Sequence, residues 1–565
     1  MRSFDPDPNV IVIGPRGQRV HRVALQHVDR LKRHLYEIRS GVWSLVGNGL
    51  SNQTFIDAPE GIIAIDTGES DEEMRSAIAE LRSVTDRPII AVIYTHFHYV
   101  NGTKEVLREA AADLPIYGHE RISFNRQRAM TEIGPAYGRG LVYQFGTSLP
   151  LDGPDGVVSM GLGLFYRNPD HHPFTDGYVA PNITWSGGES VIIGGLRVEV
   201  THAPSDADDS LTLWFPEIST CVHNLVWPVL FNIFAIRGEE YRDPEVLIRG
   251  IDHILSLNSE HLVGTHGPPI SGAADIHRRA TADRDSIQFL WDQTVRGMNK
   301  GLTSDELSHL VTLPASCDSD YLTSELYGVA EHHVRQIMAG MRGWFDGDPA
   351  KLFPLESHER ATRLVQGFGG AEKVARLVDE AIESHDLRWA LELSSWLVAR
   401  HDGTREDRER LAAVLRHIGN QSTAANIRNW CLTTARDLDG STDQSRLRVH
   451  RLREGQVLKM SSFQSLRILR VLLDPERAAG MHQMVGFDFD SGISADLVIR
   501  NCVSVVSEGR VAENRIALTH EIWAKILGGR SSMSDALAHG DVTASGSQER
   551  ILEILSVFEN PGLRS

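Results

Sequence analysis

Tyr94-Thr95-His96-Phe97-His98-Tyr99-Val100-Asn101-Gly102 comes directly after the apolar run PIIAVI at 88–93. A continuous Ile/Val run of this length reads as a buried strand. The loop leaving such a strand can turn His96 and His98 toward one ion, and neutral imidazole is a common metal ligand. Working outward, the pattern repeats. Asp66 ends the strand-like stretch GIIAIDTG at 61–68, and Asp206 sits in THAPSDADDS at 201–210. His223 follows TCV at 220–222, and His266 lies in LVGTHG at 262–267. Polar residues collected at the C-terminal ends of apolar strands are the usual sign of a ligand site in an α/β layer fold. His202 reads as an orienting neighbour of that site, and the pair His171-His172 as part of a solvated loop.

The texture of the chain changes twice. Up to about residue 275, short apolar runs alternate with Gly-rich turns and helical stretches such as 72–84, a mixed α/β pattern. From 276 to 440, long amphipathic segments such as RWALELSSWLVARH at 388–401 predict helices. From 441 onward, strand-like pieces return beside helices. Three domains are therefore expected, 1–275, 276–440 and 441–565. The net charge of −18 argues against nucleic acid, whose binding relies on Lys and Arg contacts to phosphate. Cys221, Cys317, Cys431 and Cys502 are scattered without CxxC spacing and read as reduced core thiols. The most apolar run, 225–236, is too short and too interrupted to span a bilayer, and reads as a core element or pocket wall. No secretory signal is visible, so a cytoplasmic location is expected.

The order of these elements resembles the metallo-β-lactamase superfamily, and more specifically its alkylsulfatase branch. Beyond the metal loop, the resemblance rests on Gly343-Trp-Phe-Asp-Gly-Asp-Pro, on Leu326-Tyr-Gly-Val-Ala-Glu-His-His-Val-Arg335 and on Arg388-Trp-Ala-Leu-Glu-Leu393. It implies an αββα sandwich, an all-α dimerisation domain that makes a homodimer, and a small α+β sterol-carrier-like domain. It also implies metal ligands at His96, His98, Asp206 and His266, with His223 at the place of a bridging acid. The loop's family Asp and third His are replaced by Val100 and Asn101. Ligand counting then favours one ion over two, and restoring both residues is expected to bring a second ion. Zinc suits such a set, and iron or manganese are the alternatives.

For an anionic group, the resemblance points to Asn232 and Arg237, since a guanidinium fork matches a sulfate ester. The alternative for Arg237 is a structural ion pair with Glu239, Glu240 or Asp243. The family's His for the leaving alcohol is Phe231 here, with His332 and Tyr327 as substitutes. The leading expectation is a metal-dependent hydrolase of a small organic ester with an apolar portion, above all an alkyl sulfate. An iron enzyme of different chemistry and an inactive lipid-binding homologue are the other readings.

Overall fold

The computed structural model describes residues 3–110, 113–128 and 132–564. The described residues form two compact units, Met1–Asn125 with Gly140–Asp443, and Arg126–Arg139 with Gln444–Ser565.

The first unit is built on two sheets. The seven-stranded sheet runs in chain order from His34–Arg39 to Ile183–Trp185. Its strands Gly61–Ile65 and Ile89–Ile93 pair in parallel, with both faces covered. Their side chains alternate between two cores, as a period of two requires. Ile63, Ile65, Ala91 and Ile93 meet Val198, Leu213, Phe215 and Val263 of the six-stranded sheet. Ile62, Ala64, Ile89 and Val92 meet Met74, Ala77, Ile78 and Leu81 of the helix Asp71–Leu81. That helix starts where Ser70 caps the Glu73 amide and three acids occupy the first turn, complementing the helix dipole. The second sheet's outer face packs against the helices Pro244–Ser256 and Ala273–Met298. The layers are thus helix, sheet, sheet, helix: the αββα sandwich expected.

The helical region belongs to the same unit. The expected boundary at 275/276 falls inside the helix Ala273–Met298, which shares its buried face with the sandwich core. The N-terminal segment also crosses the expected division, since Asp5 donates its amide to the Gln421 carbonyl at 3.0 Å. Helices from Ser357–Gly367 to Ala425–Leu438 close a separate apolar core around Leu393, Leu397 and Val414.

The second unit is a five-stranded sheet, ordered Val503–Glu508, Ser494–Arg500, Gln483–Phe489, Arg515–Leu518, Thr543–Ser545. Its helices bury Trp523, Ile526 and Ile554 against Phe487 and Leu497. Of the four thiols, Cys221 and Cys431 are buried, whereas Cys502 is exposed, so it is not a core thiol.

Candidate metal centre

The metal loop begins with a chain of hydrogen bonds that orients one ring. Asp66 leaves its strand with φ 58° and accepts from the Thr95 amide at 2.8 Å and from the Thr95 hydroxyl at 2.7 Å. With its proton committed to Asp66, the Thr95 hydroxyl accepts from His96 Nδ1, 2.9 Å away. His96 therefore carries its proton on Nδ1 and presents a bare, fully buried Nε2. This is the support that metal-binding imidazoles usually have. Burial pushes the Asp66 carboxyl up to about 7, and burial drives His96 down to about 3, so the ring is neutral.

Asp206 faces both rings, with His98 Nδ1 3.1 Å from Oδ2 and His96 Nε2 3.8 Å from Oδ1. Among the described residues, His96, His98 and Asp206 are the group whose ligand atoms all lie within 4.8 Å of one another. Asp206 is held by the Asn224 amide, 2.6 Å from Oδ1, and Asn224 is itself fixed by the Trp227 indole N–H at 3.1 Å. Burial opposes the Asp206 charge, but the facing His96 and His98 carry its carboxyl well below the usual range. Two imidazoles and one carboxylate with their ligand atoms this close together fit a divalent transition metal.

His223 and His266 stand outside this trio. His223 Nδ1 accepts from the Leu225 and Val226 amides at 3.0 and 3.3 Å, so the ring closes a turn at the strand end. His266 donates from Nδ1 to the Leu50 carbonyl at 3.0 Å and turns Nε2 to the Tyr99 hydroxyl at 3.4 Å. The Tyr99 ring stands edge-on to both His96 and His266, centroids 5.2 and 5.4 Å apart. Val100 faces the opposite way, into the apolar layer under the helix Asp71–Leu81.

A second polar cluster lies along the run 225–236, which is buried almost throughout. Trp227 packs against Phe231, His266 and Tyr327. Tyr327 accepts from Gln144 Nε2 at 2.8 Å. Arg237 pairs with Glu239, the structural alternative weighed for it. Arg242, which sequence reasoning missed, is also buried. It reaches the Asn232 carbonyl at 2.6 Å and lies over the Trp227 ring. Asn232 is fully buried, and its amide nitrogen and oxygen make no hydrogen bond. Beside it stands His333, not His332. His333 Nδ1 accepts from the Phe234 amide at 3.2 Å while Nε2 is unpaired. His332, one residue back and so about 100° round the helix, lies edge-on to Phe234. A side chain at Gly328 would come within 2.3 Å of Asn232 Oδ1 and 2.7 Å of His333 Cε1, so only glycine lets this pair approach.

Two further expectations meet the structure. His171 is buried, 5% exposed, rather than solvated. His202 stacks on His119 and bonds the Asp208 carbonyl, with no contact to the trio. Asp209, passed over in the sequence, is fully buried beside the same turn, and burial pushes it up to about 7.

The sandwich and its loop-end trio define a metallo-β-lactamase-fold protein, and the metallo-beta-lactamase superfamily profile matches residues 46–219. A profile described as alkyl sulfatase dimerisation matches residues 303–441. A linear primary-alkylsulfatase from a Pseudomonas species is 32% identical over 523 residues, covering 89% of this chain and 98% of the relative. An alkyl/aryl-sulfatase of Saccharomyces cerevisiae is 26% identical, covering 93% of this chain and 82% of that one. The solved structure of a stereoselective inverting sec-alkylsulfatase from Pseudomonas superposes with a TM-score of 0.83 at 23% identity, over 96% of this chain and 87% of that one. The chain belongs to the alkylsulfatase family of the metallo-β-lactamase superfamily.

Proposed function

We propose that the protein hydrolyses alkyl sulfate esters with a single divalent metal ion held by His96, His98 and Asp206. The observation that carries this reading is the Asp66–Thr95–His96 chain, which bares Nε2 beside Asp206 in a chain of alkylsulfatase descent. Zinc is the ion proposed, and the same donors also suit iron(II) or manganese. Such an ion supplies Lewis acidity and a nucleophilic water at neutral pH. Arg242, Arg237 and the unpaired amide of Asn232 hold the sulfate group. Glu239 offsets part of the cationic charge, which leaves the pocket selective for a singly charged ester. The buried wall from Leu225 to Phe231 takes the alkyl part, and Tyr327 hydrogen-bonds near the leaving oxygen. Asp206 or His333 accepts the proton of the attacking water.

The helical region is proposed to form a homodimer. Support comes from its exposed apolar residues, Trp344 at 70% and Phe353 at 93% exposure, which a monomer would leave in water. The second unit is assigned a sterol-carrier-like role, binding an apolar chain. No described helix is long and apolar enough to cross a membrane. A cytoplasmic setting is proposed, which the four unpaired thiols suit. The test is metal analysis together with sulfate release from hexyl to dodecyl sulfate. One zinc per chain and turnover lost on His96→Ala would support the reading. Turnover unaffected by chelation and by His96→Ala would overturn it.

A further inference from the structure

The trio accounts for one ion, yet His266 turns its Nε2 to the Tyr99 hydroxyl and stands outside the trio. What separates them is a phenol. Tyr99 is 5% exposed, and its ring lies edge-on to His96 on one side and to His266 on the other. The backbone that carries it is pinned on both sides. Its carbonyl accepts from the Thr67 amide at 2.8 Å, and the next amide but one, at Asn101, donates to Gly68 at 3.0 Å. Between them Val100 bridges Gly68 and buries its side chain on the far side of the loop.

The hydroxyl is the mobile part. The Leu50 carbonyl can only accept, so His266 carries its proton on Nδ1 and its Nε2 can only accept from Tyr99. At 3.4 Å that bond is long and weak, and a better acceptor nearby would take the proton donor over. Asp206, Glu69, Tyr327 and Arg237 all influence the Tyr99 hydroxyl electrostatically. Of these, Tyr327 and Arg237 are assigned above to the substrate and Asp206 to the metal.

We infer that Tyr99 stands where a second ion would otherwise lie: its ring walls His266 off from the metal trio, and its neutral hydroxyl donates a hydrogen bond to a sulfate oxygen of the substrate. The inference rests on the sulfate-ester reading for its second half only. On this inference, restoring Asp and His at positions 100 and 101 does not by itself bring a second ion.

Two measurements test it, neither depending on turnover. Zinc titration of the metal-free protein by calorimetry should give one ion per chain for the wild type and for Asn101→His. It should give two only when Tyr99→Gly is added. Two ions with Tyr99 intact would refute the wall. Because these variants can fail to fold, Tyr99→Phe provides the second arm. Binding of octyl sulfonate, which cannot be hydrolysed, to the zinc-loaded wild type should produce a tyrosine near-UV difference spectrum. Tyr99→Phe should keep one zinc, lose most of that signal and bind the sulfonate about 10-fold more weakly, as expected for one hydrogen bond to a charged group. Equal affinity and an unchanged spectrum would refute the donor role. A wild type that binds sulfonate but releases no sulfate from alkyl sulfates would sink the hydrolase reading and leave Tyr99 as a binding residue.

Discussion

Thr95→Val removes one hydroxyl and nothing else of comparable size, which makes it a direct probe of how the metal loop is held. The hydroxyl donates to Asp66 at 2.7 Å and accepts from His96 at 2.9 Å. In the variant, Asp66 keeps only the Thr95 amide, and the Nδ1–H of a fully buried ring loses its partner. Two consequences follow. A buried donor and acceptor left unsatisfied cost about 1–3 kcal/mol each, so the metal-free variant should unfold at clearly lower urea. The His96 ring is also freed to exchange tautomers and to tilt, and losing an outer partner of a metal-binding histidine typically weakens affinity 10–100-fold. The assay is competitive zinc binding against a chromophoric chelator, with circular dichroism to establish folding. A folded variant whose zinc affinity stays within about threefold of wild type would refute the reasoning, because Nε2 would then be aimed by packing alone.

Other consequences can be measured independently. Gly328→Ala would push a methyl to within 2.3 Å of Asn232 Oδ1; turnover of alkyl sulfates should fall at least 10-fold while zinc content stays at one per chain, and unaltered kinetics would remove Asn232 from the anion site. Trp344→Asp with Phe353→Asp should convert dimers to monomers in sedimentation velocity, since both side chains are exposed and each charge would be buried at the proposed interface. Asp283 is fully buried, its carboxylate oxygens make no hydrogen bond, and burial raises its pKa well above the usual range. The folded state then binds more protons than the unfolded chain above about pH 4, so stability contributed by the protonated form falls as pH rises toward the folded pKa. Asp283→Asn should therefore stabilise the protein at pH 8 by about 1–3 kcal/mol and by much less at pH 4, read from urea midpoints; an equal gain at both would contradict a proton-linked penalty.

The sandwich was legible because its signals are local. Runs such as GIIAI and IIAVI at 61–65 and 89–93 are short, continuous and rich in β-branched residues, which suits strands buried on two faces. The His96–His98 pair is legible for the same reason, since neighbours in one loop stay neighbours in space. Asp206 could be added because it too closely follows a strand. Arg242 and Asn224 could not. Both lie in ordinary polar stretches, and what gives them importance is the distance across the fold to Trp227, Asn232 and Asp206. The choice between His332 and His333 likewise depended on the rotation of one helix against residues almost a hundred positions earlier.

Sequence alone determined the layers, the helical region and the residues able to bind metal, because strand period, turn chemistry and ligand type act over a few residues. Tertiary structure alone decided which of those candidates meet. His223 was drawn into a turn by two backbone amides, His266 was set behind a phenol, and Val100 was turned into the core. A ligand's identity is written in its side chain, whereas its direction is fixed by the packing of residues far away in the chain. Only folding brings those residues together.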